Sequence, residues 1–180
     1  MRKIIVTEFV TLDGVAGEPQ NWSFPYWNDA IGDFKQNELF TTGPQLLGRV
    51  TYEGFAAAWP EREGEYADRL NGVEKYVVST TLEGAGWNNS HVIGGDVAEE
   101  IRKLKEQDGP DLLVHGSLTL VQSLIMHGLV DRFNLLVYPL VLGGGKRLFW
   151  EGSSAKLKLA ETRAFDTGVV LFQYEPIETE

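Results

Sequence analysis

Residues 112–120 read LLVHGSLTL. The first four, Leu112 to His115, have the composition of a buried strand, and a helical pattern starts at once in LTLVQSLIMHG. A strand that hands over to a helix within two residues, with glycine at the joint, is the signature of a βα unit in a parallel sheet. Ser117 stands where an N-cap would accept a first-turn N–H. The same form recurs at 46–53, LLGRVTYE, where an apolar strand ends in glycine and a helix follows within one residue.

Working outward from these joints, KIIVTEFVTLDG reads as a β-branched strand ending at Asp13-Gly14. An aromatic loop, EPQNWSFPYW, leads to a helix over Asn28–Phe40 with Asn28 as cap and Ala30, Ile31, Phe34, Leu39 and Phe40 as its apolar face. RVTYEGF is a short helix leading into AAAWPEREGEY, and KYVVST and SHVIGG are strands. DVAEEIRKLKEQDG is a helix capped by Asp96 with Glu99 facing Lys103 one turn on, and Gly128 closes the helix after the 116 joint. RFNLLVYPLVLGGG is a long apolar strand running into glycines. KLKLAETRAF and VVLFQYEP flank DTG as a hairpin. The expectation is an α/β fold in one domain, residues 1–180, with a mostly parallel central sheet and an antiparallel C-terminal hairpin.

With 43% hydrophobic and 23% charged residues the chain has the balance of a globular protein. It contains no cysteine, so disulfides, thiolate metal sites and cysteine nucleophiles are excluded together. The apolar run near the N-terminus is too short for a signal segment, and no window approaches a membrane span, so the expected location is cytoplasmic. A net charge of −10 argues against nucleic acid and anionic membranes as partners. His91, His115 and His127 share no metal-ligand spacing, so no metal is expected.

Ligands of open α/β sheets gather beyond the carboxyl ends of the strands. The free N–H groups of a helix start carry partial positive charge, and a glycine without Cβ lets an oxyanion approach the backbone. Gly48 and Gly116 supply two such ends, enough for a diphosphate. Arg49 sits in a first helical turn, where a cation is mildly unfavourable unless an anion is bound; the alternative is a pairing with Glu53. Thr51 can add a hydroxyl. A third element, LGGGKRLF at 142–149, places Gly143 and Gly144 beside Lys146 and Arg147. On the substrate side, Trp22, Phe24, Tyr26 and Trp27 can stack on a planar ring or pack the core. Asp13, Asp29 and Asp33 are candidate carboxylate anchors for ring and amino N–H groups, although Asp13 also suits a turn and Asp29 a helix N-terminus. Tyr138, at the end of the long strand, is a further pocket candidate.

Taken in order, VTLDG (10–14), LLGRVTYEGF (46–55), VVST (77–80), VHGSLTLVQSL (114–124) and VYPLVLGGGKRLF (137–149) resemble the dihydrofolate-reductase-fold family. Within it, the chain is similar to the reductase domain of the riboflavin-biosynthesis deaminase-reductase and its stand-alone relatives. The resemblance implies a three-layer dihydrofolate-reductase-like fold and an NADPH-dependent reductase of a small heterocycle. The substrate it implies is 5-amino-6-(5-phosphoribosylamino)uracil, with a dihydrofolate or pterin reductase and a non-catalytic nucleotide-binding protein as alternatives. It implies that Gly48, Arg49 and Thr51 contact the cofactor diphosphate, that Ser79 and Thr80 lie near the adenosine ribose, and that Gly116, Ser117 and Leu118 line the nicotinamide side. Gly143 and Gly144 belong to the family's glycine loop. Asp13 and Asp29 then stand as the catalytic candidates, and Trp22, Phe24, Asp33 and Tyr138 as substrate contacts. The relatives are commonly homodimers. Two departures stand out: STTLEG carries no Lys or Arg for a 2′-phosphate, and the zinc deaminase pattern is absent.

Overall fold

The computed structural model describes residues 1–177. Alternation of β-branched strands with amphipathic helices yields β1 (Ile4–Thr11), α1 (Asp29–Thr41), β2 (Gln45–Gly48), α2 (Arg49–Ala58), α3 (Glu65–Gly72), β3 (Lys75–Val78), β4 (Ser90–Ile93) and α4 (Val97–Glu106). These are followed by β5 (Leu112–His115), α5 (Leu118–Met126), β6 (Arg132–Tyr138), β7 (Leu157–Ala164) and β8 (Val170–Pro176). The described residues form one eight-stranded sheet in the order β4-β3-β2-β5-β1-β6-β8-β7. Pairing is parallel from β4 to β6 and antiparallel at β6-β8 and β8-β7, so the expected mixed architecture is what the chain adopts.

The strand order explains the layers. The chain moves from β1 outward to β4, then returns to insert β5 between β2 and β1, and right-handed crossovers put outward and returning helices on opposite faces. Ile4, Val6 and Val10 of β1 pack with Ile101 of α4 and Val121 and Leu124 of α5. On the other face Ile31 of α1 packs with Leu136 and Tyr138 of β6, and Leu39, Tyr52 and Leu70 pack with Leu47 and Val77. The period-two alternation of β1 thus serves two layers at once. Thr7 and Glu8, each 3% exposed, are the polar residues buried in the middle of it.

One element is an addition and two expectations need correction. α3, which starts at Glu65 near the end of AAAWPEREGEY and runs through residues given no element above, is the addition; it buries only Ala67 and Leu70, too short an apolar stripe to register as periodicity. β6 stops at Tyr138, because Pro139 has no N–H to continue the ladder. Phe40 is 44% exposed, and the buried stripe of α1 is Ile31, Lys35, Glu38 and Leu39.

Candidate functional site

The two glycine joints meet. The Gly48 N–H donates to Ser117 Oγ at 2.8 Å, tying the start of α2 to the start of α5. A Cβ at Gly48 would lie 3.3 Å from the Ser117 side chain, and one at Gly116 would lie 3.5 Å from Thr51 Oγ1. Gly116 and Ser117 both take left-handed backbone, at φ +53 and +64. Ser117 therefore does not cap α5 through its side chain as its sequence position suggests; its hydroxyl is spent across the joint. The starts of α2 and α5 are thereby tied side by side; a Cβ at Gly48 would crowd the Ser117 side chain, whereas one at Gly116 would meet Thr51 at ordinary contact distance.

Beside this joint, Arg49 Nη1 pairs with both carboxylate oxygens of Glu53 at 3.0 and 3.1 Å, with both side chains largely solvent-exposed. Ser79, just past β3, accepts from the N–H groups of Thr81 and Leu82 at 3.2 and 3.0 Å, forming a turn that leaves Thr80 exposed. Leu118 is buried in the α5 layer.

The β1 loop and the glycine loop are latched together. Asp13 accepts from Thr11 Oγ1 at 2.5 Å, Gly143 N at 2.8 Å and Leu142 N at 3.2 Å, and the Thr11 hydroxyl first, then those amides, lowers its pKa to about 2. The Lys146 carbonyl accepts from Ala16 N and Gly17 N, and Lys146 Nζ donates to Thr119 Oγ1 at 3.2 Å, so the loop lies against the start of α5. Gly145, at φ +128, has Val15 Cγ1 at 2.7 Å from where its Cβ would be, which accounts for glycine there. Gly143 takes φ +75, and Gly143 and Gly144 are both exposed.

On the α1 side, Tyr138 is fully buried among Phe9, Trp22 and Tyr26, with ring centroids 5.3, 5.2 and 5.8 Å away. Burial raises the pKa of its hydroxyl, which has no partner among the described residues. Trp22 donates from Nε1 to the Gly17 carbonyl at 3.1 Å, while Phe24 is 68% exposed. Asp29 and Asp33 are exposed on α1.

Beneath these rings lies a buried polar group that sequence reasoning did not assemble. Lys35 pairs with Glu38 and donates to Thr7 Oγ1 at 2.8 Å; Glu38 accepts from Asn134 Nδ2 at 2.7 Å. Thr7 is paired in register with His115, whose Nδ1 meets Gln45 Oε1 at 2.7 Å. Burial first, then the Lys35 charge, holds the His115 pKa well below its ordinary value, so the ring is neutral. The signal available was charge at i+4 and i+7 on an otherwise apolar helical stripe. On the opposite face Glu8 is equally buried; desolvation, opposed by Lys35, raises its pKa to about 8, and its Oε1 has no partner among the described residues. No group of three or more His, Cys, Asp or Glu is placed to hold a metal among the described residues.

Residues 2–171 match the model of the RibD C-terminal domain. The chain is 32% identical over 182 residues to the uncharacterized protein YyaP of Bacillus subtilis (strain 168), covering 96% of this chain and 94% of that one. Among solved structures it is similar to a putative riboflavin biosynthesis protein from Shewanella sp. PV-4, with TM-score 0.75, 19% identity and coverage of 98% and 99%. It also resembles the dihydrofolate reductase of Enterococcus faecalis complexed with NADP(H), with TM-score 0.68, 15% identity and coverage of 98% and 97%. The two structural likenesses establish the dihydrofolate-reductase-like fold.

Proposed function

Since the chain belongs to the RibD C-terminal domain family, we propose that it is an NADPH-dependent reductase of a small heterocycle. The observation that carries this reading is the Gly48 N–H to Ser117 Oγ bond, which sets two helix starts side by side at the carboxyl edge of a parallel sheet. The residues fit a dinucleotide: two helix starts meet in a double anion cradle, and a Cβ at Gly48 would crowd it.

Gly48, Arg49 and Thr51 would hold the diphosphate together with Gly116 and Ser117, with Arg49 turning from the exposed Glu53 to the anion. Ser79 and Thr80 would face the adenosine ribose, Leu118 the nicotinamide end, and Gly143 and Gly144 would close the glycine loop over it. NADPH, when bound, supplies the hydride. The protein orients the acceptor and excludes water: exposed Phe24 would bound a planar ring, with buried Trp22 and Tyr138 backing that wall from behind. Asp13 and Asp29, with Asp33 one turn on, would accept its N–H groups. Asp13 serves there as an ionised acceptor, since its low pKa keeps it anionic and a carboxylate has about four lone-pair sites.

Two substrates are in view: the phosphorylated aminouracil of riboflavin biosynthesis and an unphosphorylated pterin or pyrimidine. The burial of Lys35 in its pair with Glu38 favours the second, because a substrate phosphate then lacks that cation. Calorimetry with NADPH, followed by loss of NADPH absorbance on adding the aminouracil or dihydrofolate, tests the reading. Turnover of either supports it; binding without turnover across a wider panel of heterocycles leaves a nucleotide-binding protein; absence of binding refutes the site.

The same reading makes the protein cytoplasmic and homodimeric. No helix among the described residues is long and apolar enough to cross a membrane, and β7 is an outer strand with exposed side chains that a second copy could extend. Light scattering at micromolar concentration should give twice the chain mass; a monomer would remove the dimer from the proposal.

A further inference from the structure

The pairing of β1 with β5 ends at Thr7–His115, whereas β1 continues beside β6 as far as Thr11–Tyr138. Beyond Thr7 one edge of β1 has therefore lost its strand partner, because Gly116 and Ser117 turn away in left-handed backbone. Glu8 is the first residue of β1 in that gap. Its neighbours in the alternation, Val6 and Val10, and its register partner Leu135 all pack in the layer that holds Leu118 and Leu148. Thr7 and Phe9, by contrast, face α1, Lys35 and Trp27. Glu8 thus belongs to the α5 side of the cleft, the cofactor side in the reading above, and not to the aromatic substrate side.

A carboxyl 3% exposed, in an apolar layer, with one oxygen unpartnered, has an unmet hydrogen-bonding capacity. In its acid form it presents one donor and one acceptor side by side. A primary carboxamide presents the same pair in reverse, and the nicotinamide ring carries one. We propose that Glu8 determines specificity for the nicotinamide ring, its carboxylic acid donating O–H to the carboxamide oxygen and accepting the carboxamide N–H at its own carbonyl oxygen. Burial keeps the acid form present at neutral pH, against the pull of Lys35. An ionised carboxylate would offer acceptors only, and a phosphate at this position would be repelled. The inference rests on the pyridine-nucleotide reading of the cleft.

The test compares the wild type with Glu8→Gln and Glu8→Leu, using three probes in calorimetry: NADP+, its acetylpyridine analogue, which keeps the ring carbonyl and lacks the amide N–H, and 2′-phospho-ADP-ribose, which lacks the ring. The wild type should prefer NADP+ over the acetylpyridine analogue by about tenfold, the loss expected for one buried hydrogen bond. Glu8→Gln should keep that preference, because an amide also sets a donor beside an acceptor, and Glu8→Leu should abolish it. Affinity for 2′-phospho-ADP-ribose should be the same in all three. Preserved discrimination in Glu8→Leu, with 2′-phospho-ADP-ribose still bound, would overturn the assignment of Glu8 alone. Failure of the wild type to bind 2′-phospho-ADP-ribose would overturn the cleft reading and this inference with it. Should Glu8→Leu not fold, the carbon-13 carboxyl resonance of Glu8 decides: it should move on addition of NADP+ and stay put with 2′-phospho-ADP-ribose, and a resonance unmoved by NADP+ refutes the pairing.

Discussion

Gly116 and Arg49 separate what the cradle needs for folding from what it needs for binding. Gly116 sits at φ +53, where a Cβ costs roughly 1–2 kcal/mol, yet that Cβ would meet Thr51 Oγ1 at an ordinary 3.5 Å. Gly116→Ala should therefore fold, lose about that much stability in urea melts, and bind NADPH at least tenfold more weakly because the added methyl group fills the cradle. Normal NADPH affinity in this variant would show that nothing lies against the joint. Arg49→Ala should do the reverse. Its pair with Glu53 is exposed at both ends, so stability should change by less than about 0.5 kcal/mol. NADPH affinity should fall by about 1–3 kcal/mol, as for a lost charge-assisted hydrogen bond. Equal NADPH titrations for Arg49→Ala and wild type would remove Arg49 from the site.

At the scale of single elements, α1 shows what local pattern conveys and what it hides. Its cap is legible: Asn28 Oδ1 accepts from Ile31 N at 2.9 Å, and Asp96 likewise takes Glu99 N at 3.1 Å. Capping is a three-residue affair, settled before the rest of the chain arrives. The helix's inner face is not legible in the same way, because Lys35 and Glu38 become interior only once β1 and β6 bring Thr7 and Asn134 against them. The same holds for Ser117, whose hydroxyl finds Gly48 across the sheet, 69 residues away, before it can cap its own helix. A stripe carrying an ion pair implies a cycle of substitutions. Glu38→Gln strands a buried ammonium and should cost about 3–5 kcal/mol in urea unfolding. The double variant Lys35→Met, Glu38→Gln keeps an acceptor for Asn134 Nδ2 and should recover most of that loss. A double variant no more stable than Glu38→Gln would mean the pair is not what holds α1 to the sheet.

Over the whole molecule, alternation of strand and helix announced a parallel sheet and a closing hairpin, but it says nothing about neighbours. That β5 inserts between β2 and β1 is decided by which apolar faces cover one another, and it is this insertion that brings residue 48 to residue 117 and leaves Glu8 at the parting of two strands. Acid stability follows from the same placement. The carboxyl of Asp13, lowered to about pKa 2, binds its proton less tightly folded than unfolded, so its contribution is complete above about pH 4 and is lost as pH falls toward 2. Glu8, raised from 4.5 to about 8, binds its proton more tightly folded; its contribution is complete below pH 4.5 and is lost as pH rises through 8. His115, held neutral by burial, works against the Glu8 limb below about pH 6.5, where only the unfolded ring takes up a proton. Stability is therefore roughly level from about pH 4.5 to 6.5 and falls above it; the Glu8 limb amounts to a few kcal/mol, since each tenfold gain in proton affinity on folding is worth about 1.4 kcal/mol. Thermal midpoints measured from pH 3 to pH 9 should peak on the acid side of neutrality and decline toward pH 8, in step with the growing repulsion within a chain whose formal charge at pH 7 is −10. Glu8→Gln cannot ionise, so in that variant the decline between about pH 6.5 and pH 8 should flatten to the shallow slope left by net charge. An unchanged slope would place the Glu8 carboxyl in contact with water, against the 3% exposure of that residue.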